Sequence, residues 1–149
     1  MECDSCTSII ENKNLIFETK YWKISLADNQ YYLGRCIVGL KRHASSLSGL
    51  DAEEITNFLE VVKKLEYSLK KSFNATMFNW SCLMNHVYKD KKPNPHVHFH
   101  FWPRYKNKIE FDNIIFEDKE FAQHYDNKKT LKVPESTINK IISKIKENL

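Results

Sequence analysis

The sequence contains no apolar run that approaches the ~20 residues needed to cross a bilayer, so we expect no membrane span. Residues 1–6 form neither a basic segment nor an apolar one, and we therefore expect no secretory signal and a cytoplasmic protein. Four cysteines in that compartment do not predict a disulfide framework. The chain also lacks a long linker, an internal repeat and a low-complexity segment, so its 149 residues predict one domain, 1–149.

A strong excess of charge of either sign is also missing. The chain has 23 Lys and Arg against 19 Asp and Glu, and the net charge of +4 is a mild bias that favours anionic ligands. No basic helix or RNA-binding signature accompanies this charge, so we do not expect a nucleic-acid polymer as partner. Hydrophobic content of 42% is ordinary for a globular domain.

The hydrophobic pattern predicts an α+β fold with an antiparallel sheet of about five strands. Strands are expected at residues 15–18, 21–26, 31–40, from 76 to about 85, and from 96 to 102. One long helix, packed on the sheet, should begin at Asp51, because Glu54 three residues later completes a capping box. A peripheral C-terminal helix is expected after Pro134, whereas residues 106–133 show no clear period.

The most informative stretch is His96-Val97-His98-Phe99-His100-Phe101-Trp102, which holds half of the six histidines. On a strand, alternate side chains share one face, so the three imidazoles should lie opposite the apolar row. Imidazoles in such a row need a hydrogen bond, a metal or a ligand. The pattern alone leaves three interpretations: a chance polar face, a metal site, or nucleophilic catalysis in which a neutral imidazole attacks phosphorus.

The order His-φ-His-φ-His-φ-φ, with φ apolar, resembles the signature of the histidine triad (HIT) superfamily, and residues 34–43 resemble its second conserved block. The resemblance covers roughly residues 3–105 and leaves 106–149 as a C-terminal extension. It implies a HIT-like homodimer that hydrolyses or transfers nucleotides, either dinucleoside polyphosphates or nucleoside phosphoramidates. His98 would attack the α-phosphorus to form a covalent nucleotidyl-histidine, and His100 would bind the phosphate or assist the leaving group.

Four further residues are candidate contacts to the substrate. Asn85 lies eleven residues before His96, where several family members carry an amide that contacts ribose or phosphate, although a residue that ends a strand is an equal interpretation. Arg35 occupies a position that is commonly His in the family, which would make a neutral contact cationic. Many relatives have a Gly and a Ser that line the phosphates where this chain has Lys91 and Pro93, and Lys91 and Lys92 would supply charge in their place, unless they are merely solvated.

The Cys3-x-x-Cys6 pair is a weak signal by itself, consistent with a redox pair, half of a zinc site or an accident. In some HIT proteins such a pair binds structural zinc with two histidines, and the resemblance assigns these ligands to Cys3, Cys6, His43 and His96. Two alternative functions remain open. One is a non-catalytic nucleotide-binding module; the other is a zinc hydrolase that uses all three triad histidines as ligands.

Overall fold

A computed structural model of the chain describes Cys3, Thr7 and residues 14–149. The main sheet has five antiparallel strands in the order β1-β2-β3-β5-β4. These strands are β1 (Leu15–Glu18), β2 (Trp22–Leu26), β3 (Cys36–Leu40), β4 (Met77–Ser81) and β5 (His98–Arg104). A hairpin of β6 (Ile109–Phe111) and β7 (Ile114–Phe116) follows, and the helices are α1 (Ala52–Phe73) and α2 (Glu135–Lys146). The predicted α+β class and five-stranded sheet are confirmed.

Helix α1 begins at the predicted residue because its capping box closes. The Glu54 N–H donates to the Asp51 carboxylate and the Asp51 N–H donates to the Glu54 carboxylate, both over 2.9 Å. The buried face of α1 lies on the sheet through Val61, Leu65, Leu69 and Phe73. The predicted apolar stripe is wider than this face, since the side chains of Ile55 and Leu59 remain 49% and 52% exposed.

The predicted strand at residues 31–40 is wrong over its first half, because β3 begins only at Cys36. The Gln30 side chain accepts the Gly34 N–H over 2.8 Å, and the φ of Gly34 is 78°, a left-handed value that favours glycine. The chain therefore turns at 30–35, and this turn places Tyr32 and Arg35 against Trp102 of β5.

The ends of two other strands also differ from expectation. Strand β4 ends at Ser81 rather than near residue 85, and Met84 then adopts a φ of 48°, which interrupts extended backbone. Strand β5 begins at His98 rather than His96, because the Val97 N–H leaves the ladder and donates to the Ala44 carbonyl over 2.8 Å.

The two faces of β5 have different coverings. Helix α1 covers one face, where Phe58 stacks on Phe99 with ring centroids 4.2 Å apart. The opposite face carries His98, His100, Trp102 and Arg104 in alternation. Residues 118–126, which we call the strap, cover the Trp102 end of that face.

Arg104 attaches the strap to the sheet. Its guanidinium is fully buried and donates to both oxygens of Asp118, over 2.7 and 3.0 Å. Its remaining N–H groups donate to the Asn79 side chain and to the carbonyls of Glu120 and Gln123, so all five donors are used. One buried cation with all its hydrogen bonds made therefore fixes the strap. The hydrophobic pattern of residues 106–133 did not indicate this attachment.

We predict that Arg104→Met lowers the free energy of unfolding by about 3–5 kcal/mol, because it leaves the Asp118 carboxylate buried without its cation. The matched control is Lys108→Met, which removes an exposed ion pair with Glu117 and should change stability by less than about 0.5 kcal/mol. Urea denaturation measures both values. Equal losses for the two variants would contradict the assigned role of Arg104.

Candidate functional site

His98 is held in one tautomer by the backbone. Its Nδ1 lies 2.8 Å from the carbonyl oxygen of His96, and since a carbonyl only accepts, Nδ1 carries the proton. In the neutral ring the lone pair is then on Nε2, which has no hydrogen-bond partner among the described residues. The ring is partly exposed rather than enclosed in the core. An imidazole in this state is a competent nucleophile.

His96 is held in the opposite tautomer. Its ring is 1% exposed, and Nε2 donates to the Leu40 carbonyl over 2.8 Å, which leaves the lone pair on Nδ1. Burial lowers the pKa of His96, so the neutral ring is favoured. Nδ1 faces the Cys3 sulfur at 3.6 Å. The three rings therefore have different surroundings. His98 lies against His100 with ring centroids 5.1 Å apart, whereas His96 lies against His43 with ring centroids 5.3 Å apart.

Three of the four predicted zinc ligands meet. Ligand atoms of Cys3, His43 and His96 all lie within 4.8 Å of one another. Bonds of about 2.3 Å from zinc to sulfur and about 2.0 Å to nitrogen, at a tetrahedral angle, separate the ligand atoms by about 3.6 Å, which matches the distance between the Cys3 sulfur and His96 Nδ1. A soft thiolate with imidazoles also fits zinc chemically. Cys6, the fourth predicted ligand, lies outside the described residues.

The loop that carries His43 is fixed to helix α1. Arg42 forms a two-point contact with the buried Glu54, from Nε over 2.5 Å and from Nη2 over 2.7 Å. These hydrogen bonds lower the pKa of Glu54, which keeps the carboxylate charged. The same Glu54 closes the capping box, so one side chain sets both the helix start and the approach of His43 to His96.

His100 is a neutral ring at physiological pH. Burial, followed by the neighbouring His98 and by Arg35, lowers the pKa of His100 to about 4. Its Nδ1 is buried and has no hydrogen-bond partner among the described residues. A neutral His100 can offer one N–H and one lone pair to a phosphate, but it cannot supply positive charge.

Positive charge next to the triad comes from Arg35. Its guanidinium carbon lies 3.8 Å from the centre of the Trp102 ring, a cation–π contact. Cys36 pairs with Phe101 across the sheet, so Arg35 lies beside Trp102, which follows His100 by two residues on β5. The predicted substrate contact is thus brought to the histidine face of the sheet.

The sequence pattern marks Trp102 only as an apolar position and assigns no role to Tyr125. In the structure the two rings stack with centroids 4.2 Å apart and 14° between their planes, and the Tyr125 hydroxyl donates to Ser81 over 3.0 Å. The last aromatic position of the triad motif was the available signal for Trp102. No local signal identified Tyr125, because its partners come from two distant strands.

The other predicted substrate contacts lie on an exposed loop. Asn85 is exposed before a short 3₁₀ turn, His86–Lys89, and its side chain makes no capping hydrogen bond. Lys91 and Lys92 are exposed, and within residues 14–149 neither forms an ion pair. All three lie on the connection between β4 and β5 and stay predictions.

Comparison with known proteins agrees with this geometry. The HIT domain family matches residues 10–107. The structure is similar to a hypothetical histidine triad nucleotide-binding protein from Sulfolobus tokodaii, with a TM-score of 0.70 and 18% identity over 98% of this chain and 91% of that one. It is also similar to a zinc-bound histidine triad family protein from Mycobacterium smegmatis, with a TM-score of 0.61 and 16% identity over 99% and 95% of the two chains.

A uridylyltransferase shares the fold as well, with a TM-score of 0.69 and 20% identity over 99% of this chain but only 45% of that one. No curated protein sequence gives a significant match. Since the HIT match spans well over half of the sequence, the chain belongs to the HIT domain family. Membership supports, at the level of the family, nucleotide binding together with nucleotide hydrolysis or transfer. None of the described helices is long and apolar enough to cross a membrane.

Proposed function

We propose that this HIT protein is a cytoplasmic enzyme that hydrolyses or transfers nucleotides at the α-phosphate through a covalent nucleotidyl-histidine. One observation carries the proposal: the Nδ1–H of His98 donates to the His96 carbonyl, which leaves the lone pair on Nε2, a nitrogen without a hydrogen-bond partner among the described residues. The domain is residues 1–149, with 106–149 as an extension that supplies the strap. Dinucleoside polyphosphates and nucleoside phosphoramidates are the candidate substrates.

In the proposed reaction, His98 Nε2 attacks the α-phosphorus, an N–P bond forms, and the bond to the leaving group breaks with its electron pair on that group. Water then attacks the same phosphorus, the N–P bond breaks, and the lone pair returns to Nε2 while the water proton passes to solvent. The neutral His100 holds a phosphate oxygen, and Arg35, Asn85, Lys91 and Lys92 contact the remainder of the substrate.

We predict that His98→Ala abolishes covalent labelling by α-labelled nucleotide and lowers turnover by at least about 1,000-fold, because no other described ring occupies the same position. Acid-sensitive trapping of the labelled protein measures the adduct. His124→Ala, which removes an exposed histidine of the strap, is the matched control and should label normally. Undiminished labelling of His98→Ala would contradict the mechanism, and nucleotide binding without any label on the wild type would favour the non-catalytic module.

We also propose that Cys3, Cys6, His43 and His96 hold one structural zinc ion. Two observations support this proposal. The ligand atoms of Cys3, His43 and His96 lie close together, and the lone pair on His96 Nδ1 faces the Cys3 sulfur. Bound zinc would fix the N-terminal segment against the start of β5. Within the described residues, His98 and His100 do not join this cluster, so no observation favours a hydrolase that uses the whole triad as ligands.

Zinc analysis of the purified protein tests this site. We expect about one zinc per chain for the wild type and for His98→Ala, but much less for Cys3→Ser and His43→Asn, since each of these loses one of four ligands. Chelation should lower the melting temperature of the wild type without shifting that of Cys3→Ser. Loss of zinc from His98→Ala alone would instead support the triad as the ligand set.

We further propose that the protein is a homodimer in which a second copy covers the edge of β4. Strand β4 ends the sheet, and within the described residues no strand pairs with its outer side. Helix α1 lies over β4, where Phe58 contacts Trp80, and next to this contact it exposes Ile55 and Leu59. An open strand edge beside exposed apolar side chains fits self-association.

Sedimentation velocity checks the dimer. The wild type should sediment with about twice the 17.7 kDa mass of one chain, and Leu59→Glu should shift it towards the monomer because a charge would be buried at the interface. Ile115→Glu, at an equally apolar but distant exposed site on β7, is the control and should stay dimeric. A monomeric wild type would refute the proposal.

A further inference from the structure

The three arginines of the chain differ in how their charge is compensated. Arg42 has the carboxylate of Glu54, and Arg104 has that of Asp118. Arg35 is half-buried, and within the described residues it has neither a carboxylate partner nor a hydrogen-bond acceptor. Burial lowers the pKa of Arg35, which reports the cost of keeping this cation out of water. An uncompensated cation of this kind needs an explanation.

The surroundings of Arg35 point towards an anion. Three nitrogen atoms on this part of the sheet are buried without a partner in the described structure: Nε of Arg35, Nδ1 of His100 and Nε1 of Trp102. The Arg35 and Trp102 nitrogens can only donate. The Arg35 guanidinium stacks on Trp102 at 3.8 Å, and the Trp102 ring lies 6.0 Å from that of His100. The cation thus lies along β5, past His100 as seen from His98.

We propose that Arg35, stacked on Trp102, binds the anionic leaving group of the substrate, so that the enzyme acts on dinucleoside polyphosphates rather than on phosphoramidates. This inference rests on the proposed function, since it assigns the substrate class of the same site. The attacked phosphorus carries a neutral nucleoside, its non-bridging oxygens and the leaving group, and the non-bridging oxygens are common to both candidate substrates. The two substrates differ in the charge of the leaving group, and a leaving group that carries further phosphates gains most from a cation next to His100.

The amine released from a phosphoramidate is neutral or cationic, and Arg35 offers it no attraction. His100 does not alter this conclusion, because its pKa of about 4 leaves it uncharged near pH 7. Among the described residues, Arg35 is therefore the cation on the histidine face that has no carboxylate partner. The strap keeps it there indirectly, since Tyr125 stacks on the Trp102 ring that carries Arg35.

The principal test compares kcat/KM for diadenosine triphosphate with that for adenosine 5′-phosphoramidate in wild type and Arg35→Met. Loss of one charge-assisted contact should lower the value for the triphosphate by roughly 10- to 100-fold and change that for the phosphoramidate by less than about threefold. Arg35→Lys keeps the charge and should recover part of the difference. Lys106→Met, which removes an exposed positive charge elsewhere, is the control and should leave the ratio unchanged.

The melting temperature provides a second test, because a purely structural role of Arg35 predicts that its replacement destabilises the fold. Arg35→Met removes an uncompensated charge and keeps the stem of the side chain, so its melting temperature should equal or exceed that of the wild type. A clear fall in melting temperature, or an equal loss of kcat/KM for both substrates, would overturn the inference. So would a wild type that prefers the phosphoramidate.

A binding experiment separates this inference from the proposed function. Tripolyphosphate is titrated by calorimetry into His98→Ala, which cannot form the covalent adduct, and into the double variant with Arg35→Met. Binding that weakens by about 10-fold or more in the double variant supports the anion subsite even if the wild type proves to have no turnover. Equal binding by the two proteins would reject the subsite, whatever the outcome of the labelling experiment.

Discussion

The hydrogen bond from His98 Nδ1 to the His96 carbonyl is the interaction on which the proposed chemistry of this protein depends. The carbonyl accepts the Nδ1 proton, which leaves Nε2 as the basic nitrogen. Neither the motif nor the fold would suffice without it, because a ring in the other tautomer would present an N–H to the substrate. The backbone geometry at the start of β5 thus decides the reactivity of a side chain.

His96 connects this interaction to the rest of the molecule. Its carbonyl fixes His98, its Nε2 fixes the end of β3 through Leu40, and its Nδ1 faces Cys3. Each of these bonds restrains the others, because all three belong to one buried residue. A thiol proton or a metal on the Cys3 side therefore acts on the same residue that orients the proposed nucleophile. In the proposed mechanism the first histidine positions the second and takes no part in bond making.

The alternation of histidines and apolar residues was enough to predict a strand with a polar face, and the capping box was enough to place α1 from Asp51. Local patterns failed where a specific side-chain contact decides the path of the backbone, whether that contact is local or distant in sequence. The turn at 30–35 depends on the Gln30 side chain, which closes on Gly34, and aromatic content alone suggested a strand there. The strap depends on Arg104, so residues 118–126 had no period of their own to detect.

The same distinction applies to the site. The motif identified His98 and His100, and the second conserved block identified Arg35, but the stacking of Tyr125 on Trp102 joins residues that no motif relates. Charge explains why these particular residues are combined. Burial lowers the pKa of His100 to about 4, which favours the neutral ring that would hydrogen-bond a phosphate oxygen in the proposed reaction. In our proposal Arg35 then supplies positive charge to the anionic leaving group, and the Trp102 ring offers this cation a π face in place of a carboxylate. A carboxylate partner would neutralise the charge that the proposed anionic leaving group needs, so the missing carboxylate is consistent with a binding role for Arg35.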